Sequence, residues 1–174
     1  KAYKVDGKKV TISGGLGAGD YIINAVLAGD KNYTGSTANA TFKVVKNNVT
    51  ISVNDTTVPG RIVVGTPVKF TANLNETVTG DVIFTINGAN YTVHVNGKDV
   101  ATYDYTPVDN STITVIATFT GDNNYNGVKS ASKEFTVNKI STDINVTVVS
   151  PIKVGENAVF TVNMNVTINA TVQD

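Results

Sequence analysis

A five-residue phrase that occurs twice carries the side chains best suited to bind a ligand. It reads Gly-Asp-Lys-Asn-Tyr at 29–33 and Gly-Asp-Asn-Asn-Tyr at 121–125. Side-chain oxygens of Asp and Asn are calcium ligands, but calcium sites usually bring several carboxylates together and each loop has one. An Asx turn, in which Asp accepts backbone N–H bonds, explains the same residues. We expect structural loops with no metal or cofactor, the alternative being calcium at Asp30 and Asn32 or at Asp122 and Asn124.

Residues that build catalytic centres are scarce. There is no Cys, and the one histidine, His94, has no evident carboxylate partner, serine motif or second His. A catalytic triad or a zinc site needs such partners. His94 is also out of phase with the apolar residues Tyr91, Val93 and Val95, which predicts a solvent-facing side chain. The acids are scattered through turns, as at Asp81, Asp99, Asp104 and Asp109. We therefore predict that the protein is not an enzyme.

The densest motif is Asn-x-Thr, the acceptor of N-linked glycans in secreted proteins. Asn and Thr are abundant, so part of this density is compositional. Asn75 and Asn165 follow equivalent apolar strands, where a surface glycan would shield the sheet. The candidate glycosylation sites are Asn32, Asn39, Asn48, Asn54, Asn75, Asn90, Asn110, Asn145, Asn165 and Asn169.

Three tyrosines are a candidate sugar-binding platform, because aromatic faces stack on pyranose rings. They are Tyr91, Tyr103 and Tyr105, and strand alternation places the last two on one face. Packing in or on a sheet explains them as well, and the chain has no Trp. We favour the packing role.

The composition is that of a neutral, strand-forming chain. Its 174 residues include 14 basic and 14 acidic side chains, and 41% are hydrophobic. Balanced charge gives no electrostatic attraction to nucleic acid or membranes, and no apolar stretch approaches the ~20 residues of a membrane span. Thr, Val and Ile favour strands, Asn and Gly favour turns, and no helical period is sustained. These features predict an all-β fold. The chain lacks an initiating Met, so we expect residue 1 to lie inside a longer protein.

Alternating apolar residues predict short strands joined by tight turns. Strands at 8–13 and 20–28 should pair across a glycine-rich turn, and a strand at 36–45 should follow. Further turns are predicted at Pro59-Gly60, Thr79-Gly80-Asp81, Asn87-Gly88 and Asn96-Gly97. About seven strands in one repeat is the number expected of a β-sandwich.

The repeated phrase belongs to a longer repeat that divides the chain. Each copy follows an alternating apolar run and precedes a strand ending in Phe-x-Val-x-Lys. We assign residues 1–46 to the C-terminal half of one repeat, 47–139 to a complete repeat and 140–174 to the N-terminal half of a third. Half a sandwich exposes its inner face and its sheet edges. We therefore expect the halves to complete each other between successive segments, in one continuous chain or by strand exchange.

Two phrases, VGTPVKFTANLNETVTGDVIFTINGANYTVHVNGK and ITVIATFTGDNNYNGVKSASKEFTVNK, resemble bacterial-type immunoglobulin-like repeats. They are similar to the repeats of archaeal adhesin-like surface proteins, particularly those of methanogens. The resemblance covers essentially the whole chain. The third unit departs from it at residues 169–171, where Asn-Ala-Thr replaces Thr-Gly-Asp. The resemblance implies tandem immunoglobulin-like β-sandwiches, an extracellular cell-surface location, and a role in adhesion or as a stalk.

We therefore expect a structural segment of a surface fibre or adhesin stalk, whose partners are neighbouring repeats or copies end to end. One alternative is a module that binds a glycan or a protein receptor. Another is an accessory domain of a surface enzyme.

Some surface immunoglobulin-like domains of pili carry a crosslink between Lys and Asn beside an acid. Candidate lysines here are Lys69, Lys133 and Lys139, with Asn73 or Asn138 as partners. We expect ordinary exposed lysines instead.

Overall fold

The computed structural model describes residues 3–6, 8–12, 14–55 and 62–165, and all regular secondary structure in these residues is β-strand. The predicted all-β fold is thus confirmed. The predicted turn at Pro59-Gly60 and the candidate glycosylation site Asn169 lie outside the described residues. The strands are β1 (Tyr3–Asp6), β2 (Lys9–Ile12), β3 (Gly19–Leu27), β4 (Ser36–Val44), β5 (Ile51–Asp55), β6 (Ile62–Val63), β7 (Val68–Ile86), β8 (Ala89–Tyr105), β9 (Ile113–Phe119), β10 (Val128–Lys129), β11 (Lys133–Phe135), β12 (Val137–Asn138), β13 (Ile144–Val148) and β14 (Phe160–Met164).

The N-terminal strands form two separate hairpins. β1 pairs with β2, and β3 pairs with β4 from Gly19 opposite Val44 to Leu27 opposite Ser36. The predicted pairing of 8–13 with 20–28 is therefore wrong. The glycine-rich segment between β2 and β3 connects two hairpins instead of closing one, because each flanking strand has a long antiparallel partner on its other side.

Two long strands form the centre of the middle unit. β7 and β8 are joined by a tight turn in which Asn87 and Gly88 both have positive φ, 47° and 86°, as predicted. The predicted turns at 79–81 and 96–97 are wrong, because both segments lie inside continuous strands. The β7–β8 register shifts between Asn73 and Thr79. Irregular ladder geometry there bends the strands without ending them.

Because of this bend, the two halves of β7 belong to different layers of the sandwich. Its first half pairs with β5 and with the end of β8, and its second half pairs with the start of β8 and with β9. β10 and β11 extend the β9 side. The inner faces of the layers meet where the ring centroids of Phe70 and Phe135 lie 5.0 Å apart. The result is an immunoglobulin-like sandwich.

The core of the sandwich follows the alternation seen in the sequence. Every second residue of β7, β9 and the neighbouring strands points inward, as expected of a sheet with one buried face. Side chains with less than 2% exposure include Val68, Phe70, Val82, Phe84, Ile86, Val115 and Phe119.

The flanking segments repeat the pairing of the middle unit. Ile51 lies opposite Leu74 in the β5–β7 ladder, and Ile144 lies opposite Met164 in the β13–β14 ladder. In the same way β3 places Tyr21 opposite Phe42, as β9 places Ile113 opposite Phe135. Residues matched by sequence therefore hold matching places in their ladders.

Candidate functional site

The loop at 121–125, which we call the Gly-Asp loop, is organised by one carboxylate. Oδ1 of Asp122 accepts the backbone N–H groups of Asn124 at 2.7 Å and Tyr125 at 2.8 Å. Its Oδ2 accepts the N–H of Thr79 at 3.1 Å, and its own N–H donates to the Tyr125 carbonyl. This is an Asx turn that also ties the loop to the bend in β7.

The surroundings of Asp122 favour its charged form. Partial burial alone would raise the pKa of this carboxyl. The N–H donors of Thr79, Asn124 and Tyr125 and the Lys46 charge oppose it, and together they lower the pKa below its ordinary value of 3.8. A carboxylate committed to three N–H groups has little capacity left for a metal ion.

The first copy of the phrase has the same internal geometry. Oδ1 of Asp30 accepts the N–H groups of Asn32 at 2.7 Å and Tyr33 at 2.8 Å. The Asp30 N–H donates to the Tyr33 carbonyl at 2.9 Å. Five residues therefore suffice to specify this turn. Within the described residues no three His, Cys, Asp or Glu side chains converge as metal ligands would.

The histidine has a partner that the sequence did not reveal. Nδ1 of His94 lies 2.7 Å from Oδ1 of Asp81, and the two residues face each other across the β7–β8 ladder. The sequence could not predict this pair, because residues on neighbouring strands face each other only in a particular strand register. Both side chains are exposed by about half or more, which confirms the predicted solvent face. Among the described residues, no Ser hydroxyl forms a hydrogen bond with this pair, and a catalytic triad would need one.

The three tyrosines pack against the core. The Tyr91 and Tyr103 rings stack with centroids 4.6 Å apart, and the Tyr103 ring lies 6.2 Å from that of Phe84. Tyr105 likewise lies 6.3 Å from the Phe70 ring. All three are partly buried, which fits the packing role. Burial also raises the pKa of Tyr103, with a smaller contribution from Tyr91.

The candidate glycosylation asparagines occupy varied settings. Most are exposed, including Asn32, Asn39, Asn110 and Asn145. Several also make hydrogen bonds: the Asn90 Oδ1 accepts from Thr85, Asn48 Oδ1 accepts from Asn126, and Asn54 Oδ1 accepts from Lys133. Exposure is compatible with modification, and occupancy of these sites stays a prediction.

The candidate crosslinking lysines have partners other than those expected. Lys133 Nζ lies 2.8 Å from Asn54 Oδ1 and 5.4 Å from the Phe135 ring centroid. Lys69 Nζ pairs with Asp104 across β7 and β8 at 2.8 Å. Both pairs are exposed to solvent.

Comparison with known families agrees with this architecture. The sequence profile of the family described as Bacterial Ig-like domain (group 3) matches residues 55–138. No curated protein matches the sequence significantly. Bacterial Ig-like domains are typically extracellular or surface-exposed and are generally non-catalytic structural modules. Among the described residues, no helix has the length and apolar character to cross a membrane. The two-layer strand pairing shows an immunoglobulin-like β-sandwich, and over residues 55–138 the sequence is similar to the bacterial Ig-like family.

Proposed function

We propose that the chain is a structural repeat segment of an extracellular surface fibre or adhesin stalk. In this proposal its half-units are completed by the complementary halves of neighbouring segments. One observation carries it: positions that are buried in the complete unit are exposed at the equivalent places in the half-units.

Two pairs of residues make the contrast clear. Phe70 is 0% exposed in β7, whereas its counterpart Phe160 in β14 is 62% exposed. Phe119 is 0% exposed in β9, whereas Leu27 in β3 is 63% exposed. Burying one such side chain contributes about 1.5–3 kcal/mol of stabilisation. Association that covers the exposed apolar face of a half-unit is therefore favourable.

The packing of the middle unit indicates which strands of the two half-units would face each other. There the first half of β7 and the strand β11 contribute facing side chains, as at Phe70 and Phe135. Their counterparts are Phe160 in β14 and Phe42 in β4, both exposed in this chain. The β13–β14 pair of one copy and the β3–β4 pair of another therefore present complementary halves of one sandwich. Repetition of such units would generate a quasi-one-dimensional array.

The mass of the chain in solution tests this proposal. We expect light scattering to show species heavier than the monomer, increasing with protein concentration. Phe160→Asp and Leu27→Asp should each reduce this association, because a charge would be buried in the completed core. The matched control is Val159→Asp, directly before β14, because its counterpart Lys69 stays exposed in the middle unit. A chain that is monomeric at all concentrations, or a control as disruptive as Phe160→Asp, would contradict completion between copies.

A glycan- or receptor-binding module and an accessory domain of a surface enzyme are the alternative functions. The tyrosines offer little support for the first, because their rings are engaged with the core. An archaeal surface-protein context rests on the sequence resemblance alone.

A further inference from the structure

The first residue of the complete repeat, Asn47, pairs with the Gly-Asp loop of the same repeat. Asn47 donates its backbone N–H to the Asn124 carbonyl at 2.8 Å. The N–H of Asn126 donates to the Asn47 carbonyl at 2.9 Å, and Asn47 forms a parallel bridge with Tyr125. The chain is thus bound to this loop at the point where it leaves the first unit and enters the complete repeat.

The same loop reaches the body of the preceding unit. Oδ1 of Asn124 accepts the N–H of Ala18, in the glycine-rich segment between β2 and β3, at 3.1 Å. The approach is close at Gly17, where an added Cβ would lie 3.0 Å from that oxygen. Tyr21 braces the segment by donating its hydroxyl to the Gly17 carbonyl at 2.8 Å. Gly17 therefore leaves room for the Asn124 side chain.

Asp122 and Asn124 have different hydrogen-bond partners, which indicates which of the two recognises the preceding unit. Both Asp122 oxygens are used within the complete unit, on Asn124, Tyr125 and Thr79. The Asp122 carbonyl accepts from Lys46 Nζ, at the end of the preceding unit. Asp122 shapes the loop, and the Asn124 side chain is free to bind across the junction.

We propose that residues 121–126 form the joint that holds the complete repeat at a fixed angle on the unit before it, with Asn124 as the specificity-determining contact. This inference rests on the proposed role as a repeat segment. Its partner is an immunoglobulin-like repeat whose corresponding segment has a glycine where Gly17 stands. The surface fixes the geometry of an array, whereas the exposed half-unit faces provide its cohesion.

The first copy of the phrase provides a matched control. Asn32 holds the same place in its loop as Asn124, with the same backbone bond to Asp30. Among the described residues, no hydrogen bond connects the Asn32 side chain to another unit. Replacing either Asn by Ala leaves the backbone donors of its loop in place, but only Asn124→Ala removes a contact between units.

Distance measurements between spin labels test the joint directly. The chain contains no Cys, so two introduced cysteines are labelled uniquely. Thr37→Cys in β4 and Thr66→Cys before β7 place labels at exposed positions away from the junction. Labelled chain is diluted into unlabelled chain, so that only distances within one molecule are recorded. We expect a narrow distribution in the parent and in Asn32→Ala, and a broader one in Asn124→Ala and Gly17→Val.

Amide exchange supplies a second readout that does not depend on labels. In Asn124→Ala the Ala18 amide should exchange about fivefold faster, since one hydrogen bond is worth about 1 kcal/mol. The Tyr125 amide should keep its protection, which shows that the loop is still folded. The proposed joint would be refuted if the parent showed a label-to-label distance distribution as broad as that of Asn124→Ala. It would also be refuted if Asn32→Ala and Asn124→Ala broadened the distribution equally. A narrow parent distribution in a strictly monomeric chain would instead retain the joint and refute completion between copies.

Discussion

The amide oxygen of Asn75 accepts the backbone N–H of Thr50 at 2.8 Å, and the Asn75 N–H donates to the Thr50 carbonyl at 3.3 Å. Asn165 makes the same two bonds with Asp143, at 2.9 Å and 3.3 Å. These two sequon asparagines thus bind the residue directly before β5 and the residue directly before β13. A glycan would be attached at Nδ2, so Oδ1 would remain available as the acceptor.

Asn75→Ala should lower the free energy of unfolding of the complete unit by about 1 kcal/mol, since the Thr50 N–H loses its acceptor. Urea denaturation measures the change. Asn75→Asp keeps an acceptor oxygen while removing the glycosylation motif, and it should be closer to the parent. Asn165→Ala, which removes the equivalent bond outside the complete unit, should leave the main transition unchanged. Equal losses in Asn75→Ala and Asn165→Ala would argue against this assignment.

Gly80 is required by a close approach between β7 and the Gly-Asp loop. A Cβ at this position would lie 3.1 Å from the Gly121 carbonyl oxygen and 3.3 Å from the Phe119 ring. We expect Gly80→Ala to destabilise the complete unit by about 1–3 kcal/mol, through overpacking and through strain at its φ of 153°. Gly88→Ala is the comparison, because no atom lies within 4 Å of its added Cβ and only its φ of 86° is strained. Thermal melts of both variants test the difference, and a Gly80→Ala melt identical to the parent would refute it.

Asp122 should make the complete unit sensitive to acid. A carboxyl whose pKa is lowered on folding contributes stability that is fully present above its ordinary value of 3.8. That contribution is lost as the pH falls through the lower pKa of the folded state. Urea midpoints of the parent should therefore decrease as the pH falls below about 3.8, in part because of Asp122. Asp109, whose pKa is lowered by hydrogen bonds from Ser111, adds to the same trend.

Asp122→Asn should be less stable than the parent at neutral pH, because its amide NH₂ cannot accept the Thr79 N–H. It should also show a smaller decrease in midpoint on acidification. The same acid-induced decrease in parent and variant would exclude Asp122 as a source.

Lys133 and Asn54 should remain an ordinary hydrogen-bonded pair. A crosslink would require the Lys133 amine to attack the Asn54 amide carbon with loss of ammonia, whereas Lys133 Nζ donates a hydrogen bond to the Asn54 amide oxygen at 2.8 Å. We therefore expect the intact mass of the purified chain to equal the sequence mass. A deficit of one ammonia that disappears in Lys133→Arg would contradict this expectation.

Local patterns in the sequence predicted the parts of this fold that depend on neighbours along the chain. Alternation located the buried residues of β7 and β9, and Asn87-Gly88 predicted the hairpin turn. The repeated phrase predicted an Asx turn, because Asp122 and the N–H groups of Asn124 and Tyr125 that it accepts lie within four residues. A short side chain that bonds to its own loop needs no distant partner to form its turn.

Tertiary structure decided what depends on register and on the approach of distant segments. Whether Gly80 and Gly97 ended or bent their strands depended on the ladder on either side, so both were misread as turns. The Asp81 partner of His94 appeared only with the β7–β8 register. The contact of Asn124 with Ala18 joins residues 106 positions apart, and nothing local encodes it. The sequence by itself predicted an immunoglobulin-like β-sandwich and the chemistry of its turns. Only the tertiary structure placed the Gly-Asp loop against the segment before β3, because a contact between distant segments requires both surfaces in place.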